Sequence, residues 1–206
     1  MSRAIFLGSF NPPHRGHLNC LETVINSGVM EEFNIEYIHV IPAYQNPNKK
    51  DKAASFYTRC QMCSWMFSRQ NGHILIDDIE GIVKPKYTYE LLQYLNDNDK
   101  VLKDGFWWIV TIETLRELLD GKWKNSEELL YDNNFIVLYE SEGEKLALYE
   151  DYNLKFLCAK YIKINNPINY HSTQIRELVK KGKSTIEFTN RFVDDIIKEE
   201  NLYKNE

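Results

Sequence analysis

The chain reads as a single α/β domain built on a doubly wound, mostly parallel sheet. Short apolar runs alternate with segments of helical spacing, the pattern of parallel strands joined by crossover helices. Neither an internal repeat, a low-complexity tract nor an interdomain linker interrupts that alternation. At 206 residues the chain can also bury one sizeable core, so one domain over 1–206 is expected, with a helical carboxyl-terminal segment over 173–206.

Taken in order, strands are expected at 3–8, 35–42, 73–77, 106–111, 134–139 and 161–164, and helices near 16–27, 54–70, 87–97, 113–120, 173–181 and 188–200. The first strand carries Ala4-Ile5-Phe6-Leu7, and the first helix repeats Leu18, Leu21, Val24 and Ile25 on one face. In the second helix Phe56, Cys60, Cys63 and Phe67 share a stripe, so Cys60-x-x-Cys63 reads as core packing rather than a redox or zinc pair. Alternation in the fourth strand turns one of Trp107 and Trp108 toward the core. His39 and His73 fall in strands and read as structural, and Asp77, Asp78 and Glu80 as a strand end. Residues 143–158 lack clean periodicity and are expected to form an irregular excursion.

Two segments carry chemistry. Gly8-Ser9-Phe10-Asn11-Pro12-Pro13-His14-Arg15-Gly16-His17 joins the first strand to the first helix, so two imidazoles sit where backbone N–H groups lack intrahelical partners. Such a terminus favours anions through its free donors and its dipole. Gly8 and Gly16 permit close backbone approach to a ligand. Near the other end, Asn169-Tyr170-His171-Ser172-Thr173-Gln174-Ile175-Arg176 opens a helix with Ser172 or Thr173 as its cap. Arg176 then opposes the helix dipole, a penalty that a bound phosphate would reverse. Lys180, Lys181 and Lys183 read as a solvated helix end. In open α/β sheets ligands lie beyond the carboxyl ends of the strands, where Gly8–His17 and the loop after Ile41 both fall. The two segments together suggest a polyphosphate seat.

This pairing of H-x-G-H with a late S-T-x-I-R resembles the nucleotidylyltransferase superfamily, and within it the nicotinate/nicotinamide mononucleotide adenylyltransferases. Ile41-Pro42 with Asn46-Pro47-Asn48-Lys49 resembles that family's substrate loop, and Tyr87-Thr88-Tyr89-Glu90-Leu91-Leu92 its S-Y-T-x-x-T-L segment. Phe106 to Leu115 with Trp123 resembles its G-x-D-x-L…W region, and Asn201-Leu202-Tyr203 its closing residues. The chain departs from the pattern with Thr111 for Gly, Glu113 for Asp, Asn48 for His, Tyr139-Glu140-Ser141 for a basic residue, and His171 for Ser.

The resemblance implies a Rossmann-like fold and adenylyl transfer from ATP to a pyridine mononucleotide, with Mg²⁺ carried by the ATP phosphates and no all-protein metal site. It implies that His14, His17 and Arg176 are catalytic. ATP would be bound by Gly8, Ser9, Phe10, His14, Gly16, His17, Ser172, Thr173 and Arg176, with Glu113 at the ribose or adenosine. The mononucleotide would meet Asn11, Lys49, Tyr87, Thr88 and Trp123. Without a base at 139–141 and with Asn48 in the loop, the neutral nicotinamide form is favoured over nicotinate. Alternatives of the same fold are pantetheine-phosphate adenylyl and cytidylyl transfer; a nucleotide sensor without turnover is the non-enzymatic reading. The lysine-rich loop of class I tRNA synthetases is not found. A net charge of −5 argues against nucleic acid as a partner. No stretch approaches the roughly 20 apolar residues that span a bilayer. A strand directly after Met1-Ser2-Arg3, and thiols suited to reducing conditions, lead to a cytoplasmic expectation; self-association is compatible with the sequence.

Overall fold

A computed structural model describes residues 2–45, 54–67, 72–98, 105–168 and 170–204. Its strands are β1 (Ser2–Gly8), β2 (Ile35–Pro42), β3 (Ile74–Ile76), β4 (Phe106–Thr111), β5 (Asn134–Tyr139) and β6 (Ala159–Lys163). They form one six-stranded sheet in the order β3-β2-β1-β4-β5-β6, parallel throughout. This is a single α/β domain with the parallel sheet that the alternation predicts and the Rossmann-like topology that the family resemblance implies. The strand order reverses at β1, so the crevice beside its carboxyl end is the place for a ligand.

The helices are α1 (Arg15–Asn26), α2 (Val29–Glu32), α3 (Phe56–Phe67), α4 (Ile79–Val83), α5 (Thr88–Asn98), α6 (Ile112–Leu119), α7 (Ser126–Tyr131), α8 (Glu142–Asp151), α9 (Ser172–Lys180) and α10 (Arg191–Glu199). Strand alternation divides their packing between two faces. Ala4, Phe6, Ile109, Ile136 and Leu138 join the core made with α1, α3 and α10. Ile5, Trp108, Val110, Phe135 and Val137 face the opposite way, onto α5, α6, α7 and α8. Trp108 is the tryptophan in the core, while Trp107 stacks on Phe33 with ring centroids 3.8 Å apart.

Two sequence expectations change. The 143–158 segment contains a helix, α8, capped by Ser141, whose Oγ accepts from the Glu144 amide at 3.2 Å. Its periodicity is hidden because Leu148 is buried while Leu146 and Tyr149 are exposed, so the cap rather than an apolar stripe starts it. His73 precedes β3 instead of lying in it. On α3, Phe56, Cys63 and Phe67 are buried and Cys60 is half-buried, with burial pushing the Cys60 thiol up to about 11 and the Cys63 thiol well above its usual value.

Leu115 of α6 is wholly buried against the sheet. Replacing it by Ala should cost about 2–5 kcal/mol. Urea unfolding should show a lower midpoint at unchanged slope; an unchanged midpoint would mean that α6 is not part of the cooperative core.

Candidate active site

Gly8 ends β1 beside Pro42 of β2, and the Ala43 amide donates to the Gly8 carbonyl at 2.9 Å. The chain then reverses through Phe10, at φ 46°, which folds its buried ring back over Gly8. A Cβ at Gly8 would lie 2.9 Å from that ring, so the missing side chain makes room for the protein's own turn. The same holds at Gly16, where a Cβ would meet the His14 ring at 3.0 Å and the Ile168 carbonyl at 3.3 Å.

His14 caps α1. Its Nδ1 accepts from the Gly16 amide at 3.1 Å, while His17 Nδ1 accepts from the His14 amide at 3.2 Å. Each imidazole spends its Nδ1 lone pair on the helix terminus, so in the neutral ring the proton resides on Nε2. The rings stack with centroids 3.7 Å apart, and Phe10 meets His17 edge-on at 5.0 Å. The sequence thus supplies a cap, and the cap fixes the tautomer of two donors. His14 is buried, and burial, reinforced by His171, lowers its pKa from 6.5 to about 4. At neutral pH it is an uncharged N–H donor.

The second segment meets this turn directly. The residue capping α9 is His171, not Ser172 or Thr173, because Ser172 already lies in the first turn. Ser172 Oγ instead donates to the Pro12 carbonyl at 2.9 Å, and the Tyr170 ring lies edge-on to His14 at 5.6 Å. Arg176 is buried; it donates to the Asn11 carbonyl at 3.0 Å and to Thr173 Oγ1 at 3.3 Å. Its opposition to the helix dipole is therefore offset partly by a carbonyl of the turn between β1 and α1. The structure brings Gly8, Ser9, Phe10, Asn11, His14, Gly16, His17, Ser172, Thr173 and Arg176 into one neighbourhood, where two helix amino termini converge.

The other sequence candidates are dispersed. Tyr87 and Thr88 stand at the start of α5, and Trp123 lies between α6 and α7. Trp123 packs edge-on to Trp108 at 5.9 Å on the opposite side of the sheet and donates Nε1–H to Glu117 at 2.9 Å. Lys49, with Asn46, Pro47 and Asn48, falls outside the described residues. Thr111 caps α6, accepting from the Thr114 amide at 3.4 Å, so the departure from Gly acquires a local role. Glu113 follows in the first turn, and Glu140 stands exposed after β5. Burial and then the neighbouring Glu144 and Glu113 raise the Glu140 carboxyl above its usual range.

Sequence reasoning missed Arg59, Glu80 and Tyr203 at this end of the sheet. Arg59 is buried on α3 and donates to Ser9 O, Ala54 O and Tyr44 O. Glu80 is not simply a strand end: it is buried on α4, accepts from the Tyr44 amide at 2.5 Å, and is pushed by burial to about 7. Tyr203 Oη donates to Asn11 Oδ1 at 2.8 Å. The available signal was an arginine placed on the apolar stripe of α3, between Phe56 and Cys63.

The imidazole Nε2–H groups of His14 and His17 and the guanidinium of Arg176, beside the amino end of α9, form a set of donors suited to phosphate oxygens. That set fits a cation delivered already bound to a nucleotide rather than one held by protein carboxylates.

Comparison with known proteins agrees with this geometry. Residues 5–178 match the cytidylyltransferase-like family. A probable nicotinate-nucleotide adenylyltransferase of Clostridium acetobutylicum is 30% identical over 98% of both chains. One of the same name from Cytophaga hutchinsonii is 28% identical over the full length of each. Among solved structures, a Plasmodium falciparum nicotinic acid mononucleotide adenylyltransferase, determined with APC and with NaAD, superimposes with a TM-score of 0.72. At 19% identity over all of this chain and 98% of that one, it establishes the shared fold.

The depressed His14 pKa fixes a sign. A folded value below the unfolded one gives stability that is complete above about pH 6.5 and is lost as pH falls through about 4. Its loss is on the order of 3 kcal/mol. NMR titration should place the His14 ring near 4 in the free protein and higher with Mg-ATP bound, since phosphate favours imidazolium. A free-protein value near 6.5 would contradict the burial.

Proposed function

The chain belongs to the cytidylyltransferase-like family, and on that premise we propose that it transfers the adenylyl group of ATP to nicotinate mononucleotide, releasing pyrophosphate. The observation that carries this reading is the stacked His14–His17 pair, each Nδ1 committed to the α1 terminus, beside the amino end of α9. In this reaction a phosphate oxygen of the mononucleotide attacks the α-phosphorus of ATP, and the bond to the β-phosphate bridging oxygen breaks. The attacking group is already an anion, so no side chain need act as base or nucleophile. Catalysis then rests on alignment and on donors that meet charge as it develops.

In this scheme His14 and His17 donate through Nε2 to the reacting phosphate. Gly8, Ser9, Phe10 and Gly16 shape the turn around it. Ser172, Thr173 and Arg176 hold the phosphates that leave. Asn11, Tyr87, Thr88, Trp123 and Lys49 serve the mononucleotide side, Asn11 acting through the turn because its Oδ1 is engaged by Ala54 and Tyr203. Mg²⁺ supplies charge neutralisation on the phosphates when it arrives with ATP. The chain acts on small nucleotides, and no helix among the described residues is long and apolar enough to cross a membrane. The sequence argument for the neutral amide, drawn from Asn48 and Glu140, gives way to the relatives, whose names specify nicotinate. Backbone N–H groups alone suffice to hold a carboxylate.

Two measurements test the reading. Purified protein with ATP, Mg²⁺ and each mononucleotide should form the nicotinate dinucleotide and pyrophosphate with a kcat/KM at least about tenfold above the nicotinamide reaction, roughly 1.4 kcal/mol; the reverse ratio would return the substrate to the amide. His17→Ala should lower kcat by about 10²–10³-fold with little change in mononucleotide KM. A folded variant at parental turnover would remove this imidazole from the chemistry.

A further inference from the structure

We propose that Arg59 is a positioning residue that fixes the distance between the phosphate turn and the chain leaving β2, and so aligns the two substrates of the adenylyl transfer argued above, on which this inference rests. Arg59 is 4% exposed; its guanidinium donates to three backbone carbonyls, Nη1 to Ser9 O at 2.7 Å, Nε to Ala54 O at 3.1 Å and Nη2 to Tyr44 O at 3.2 Å, and lies over the Phe56 ring at 5.8 Å. Ser9 belongs to the turn that carries His14 and His17. Tyr44 follows the carboxyl end of β2, and Ala54 lies two residues before α3. Three separate stretches of chain at the crevice end of the sheet thus converge on one planar group.

The peptides it touches are held from their other sides as well. Glu80, itself 6% exposed, accepts the Tyr44 amide at 2.5 Å. Asn11 Oδ1 accepts the Ala54 amide at 3.1 Å and the Tyr203 hydroxyl at 2.8 Å. Tyr44 and Ala54 are therefore each gripped at both N–H and C=O, Tyr44 by Glu80 and Arg59, and Ala54 by Asn11 of the turn and Arg59. A buried guanidinium met by carbonyl dipoles is a poor source of net stability, because its charge loses its hydration. What a rigid fork supplies is geometry, since its N–H groups meet several acceptors at once with little freedom to shift. Lysine, with one cationic point on a flexible stem, cannot reach three carbonyls in that arrangement.

A misplacement of about 1 Å between reacting groups costs on the order of 10²-fold in rate. Loss of the fork is therefore expected in kcat rather than in the affinity of either substrate. Arg59→Lys should lower kcat by about 10–100-fold, leaving both KM values and the calorimetric Kd of each substrate alone within about threefold. Tyr203→Phe removes the hydroxyl donor to Asn11 and Glu80→Met removes the acceptor of the Tyr44 amide, each with little change in side-chain volume, and should lower kcat by a smaller factor, about 3–10-fold, with the same unchanged KM values. These two variants carry the test if Arg59→Lys does not fold. Parental kcat in the folded variants would overturn the inference, and so would loss of binding to both substrates with kcat preserved. A parent protein that makes no dinucleotide would overturn the adenylyl-transfer reading, and this inference with it; an active parent with unaffected variants would overturn only the role of Arg59.

Discussion

The arrangement at the crevice depends on how the turn between β1 and α1 is held. That turn cannot be stabilised by sheet or helix bonding of its own, since it lies between the two, and buried backbone groups left unpaired would be costly. Its acceptors are met instead by groups distant in sequence. Ser9 O receives Arg59, Asn11 O receives Arg176, Pro12 O receives Ser172, and Asn11 Oδ1 receives Tyr203 and the Ala54 amide. Donors from α3, α9 and the carboxyl-terminal residues thereby close around a turn formed by the first residues of the chain. The Ser172 and Arg176 contacts span sequence separations of 160 and 165 residues. The turn is ordered only when the whole domain has folded.

This dependence explains what could be read from the sequence. The sheet was legible because strand and helix have distinct apolar periods, and Ile5 against Ala4 and Phe6 displays the alternation at once. The imidazole pair was legible because a cap and its partner lie three residues apart, within reach of local reasoning. Arg59 was not, because its acceptors come from three separate stretches, and an arginine on an apolar stripe does not disclose which carbonyls it will find. The α8 helix escaped for the opposite reason: its start is fixed by Ser141, while its exposed Leu146 and Tyr149 blur the stripe that would have identified it. Capping and long-range polar contacts are the two kinds of information that hydrophobic periodicity does not contain.

Arg176 shows how one residue can be read two ways from the same physics. Its position in the first turn of α9 is electrostatically unfavourable, and the sequence argument sought a bound anion to offset it. The structure supplies a neutral carbonyl dipole from Asn11 and a hydroxyl from Thr173. A carbonyl offsets only part of a buried cation's lost hydration, whereas a phosphate carries full charge. On the proposed reading these contacts hold the guanidinium in place beforehand, so that binding a phosphate need not also restrict a long, flexible side chain.

The same logic extends to the neutral imidazoles. A cationic pair stacked with centroids 3.7 Å apart would repel, and burial of His14 already disfavours its charged form. Using each Nδ1 to cap α1 removes the choice of tautomer and leaves Nε2–H as the donor of each neutral ring. On the proposed reading, neutral donors at a helix terminus meet the ground-state phosphates with modest attraction and respond more strongly as negative charge gathers on the reacting phosphate, because they are already oriented and need no reorganisation. Of the departures, Thr111 caps α6 and Glu140 stands exposed after β5. The turn itself is held by Arg59, Arg176 and Tyr203, and on the proposed reading it sets the geometry of the phosphate chemistry.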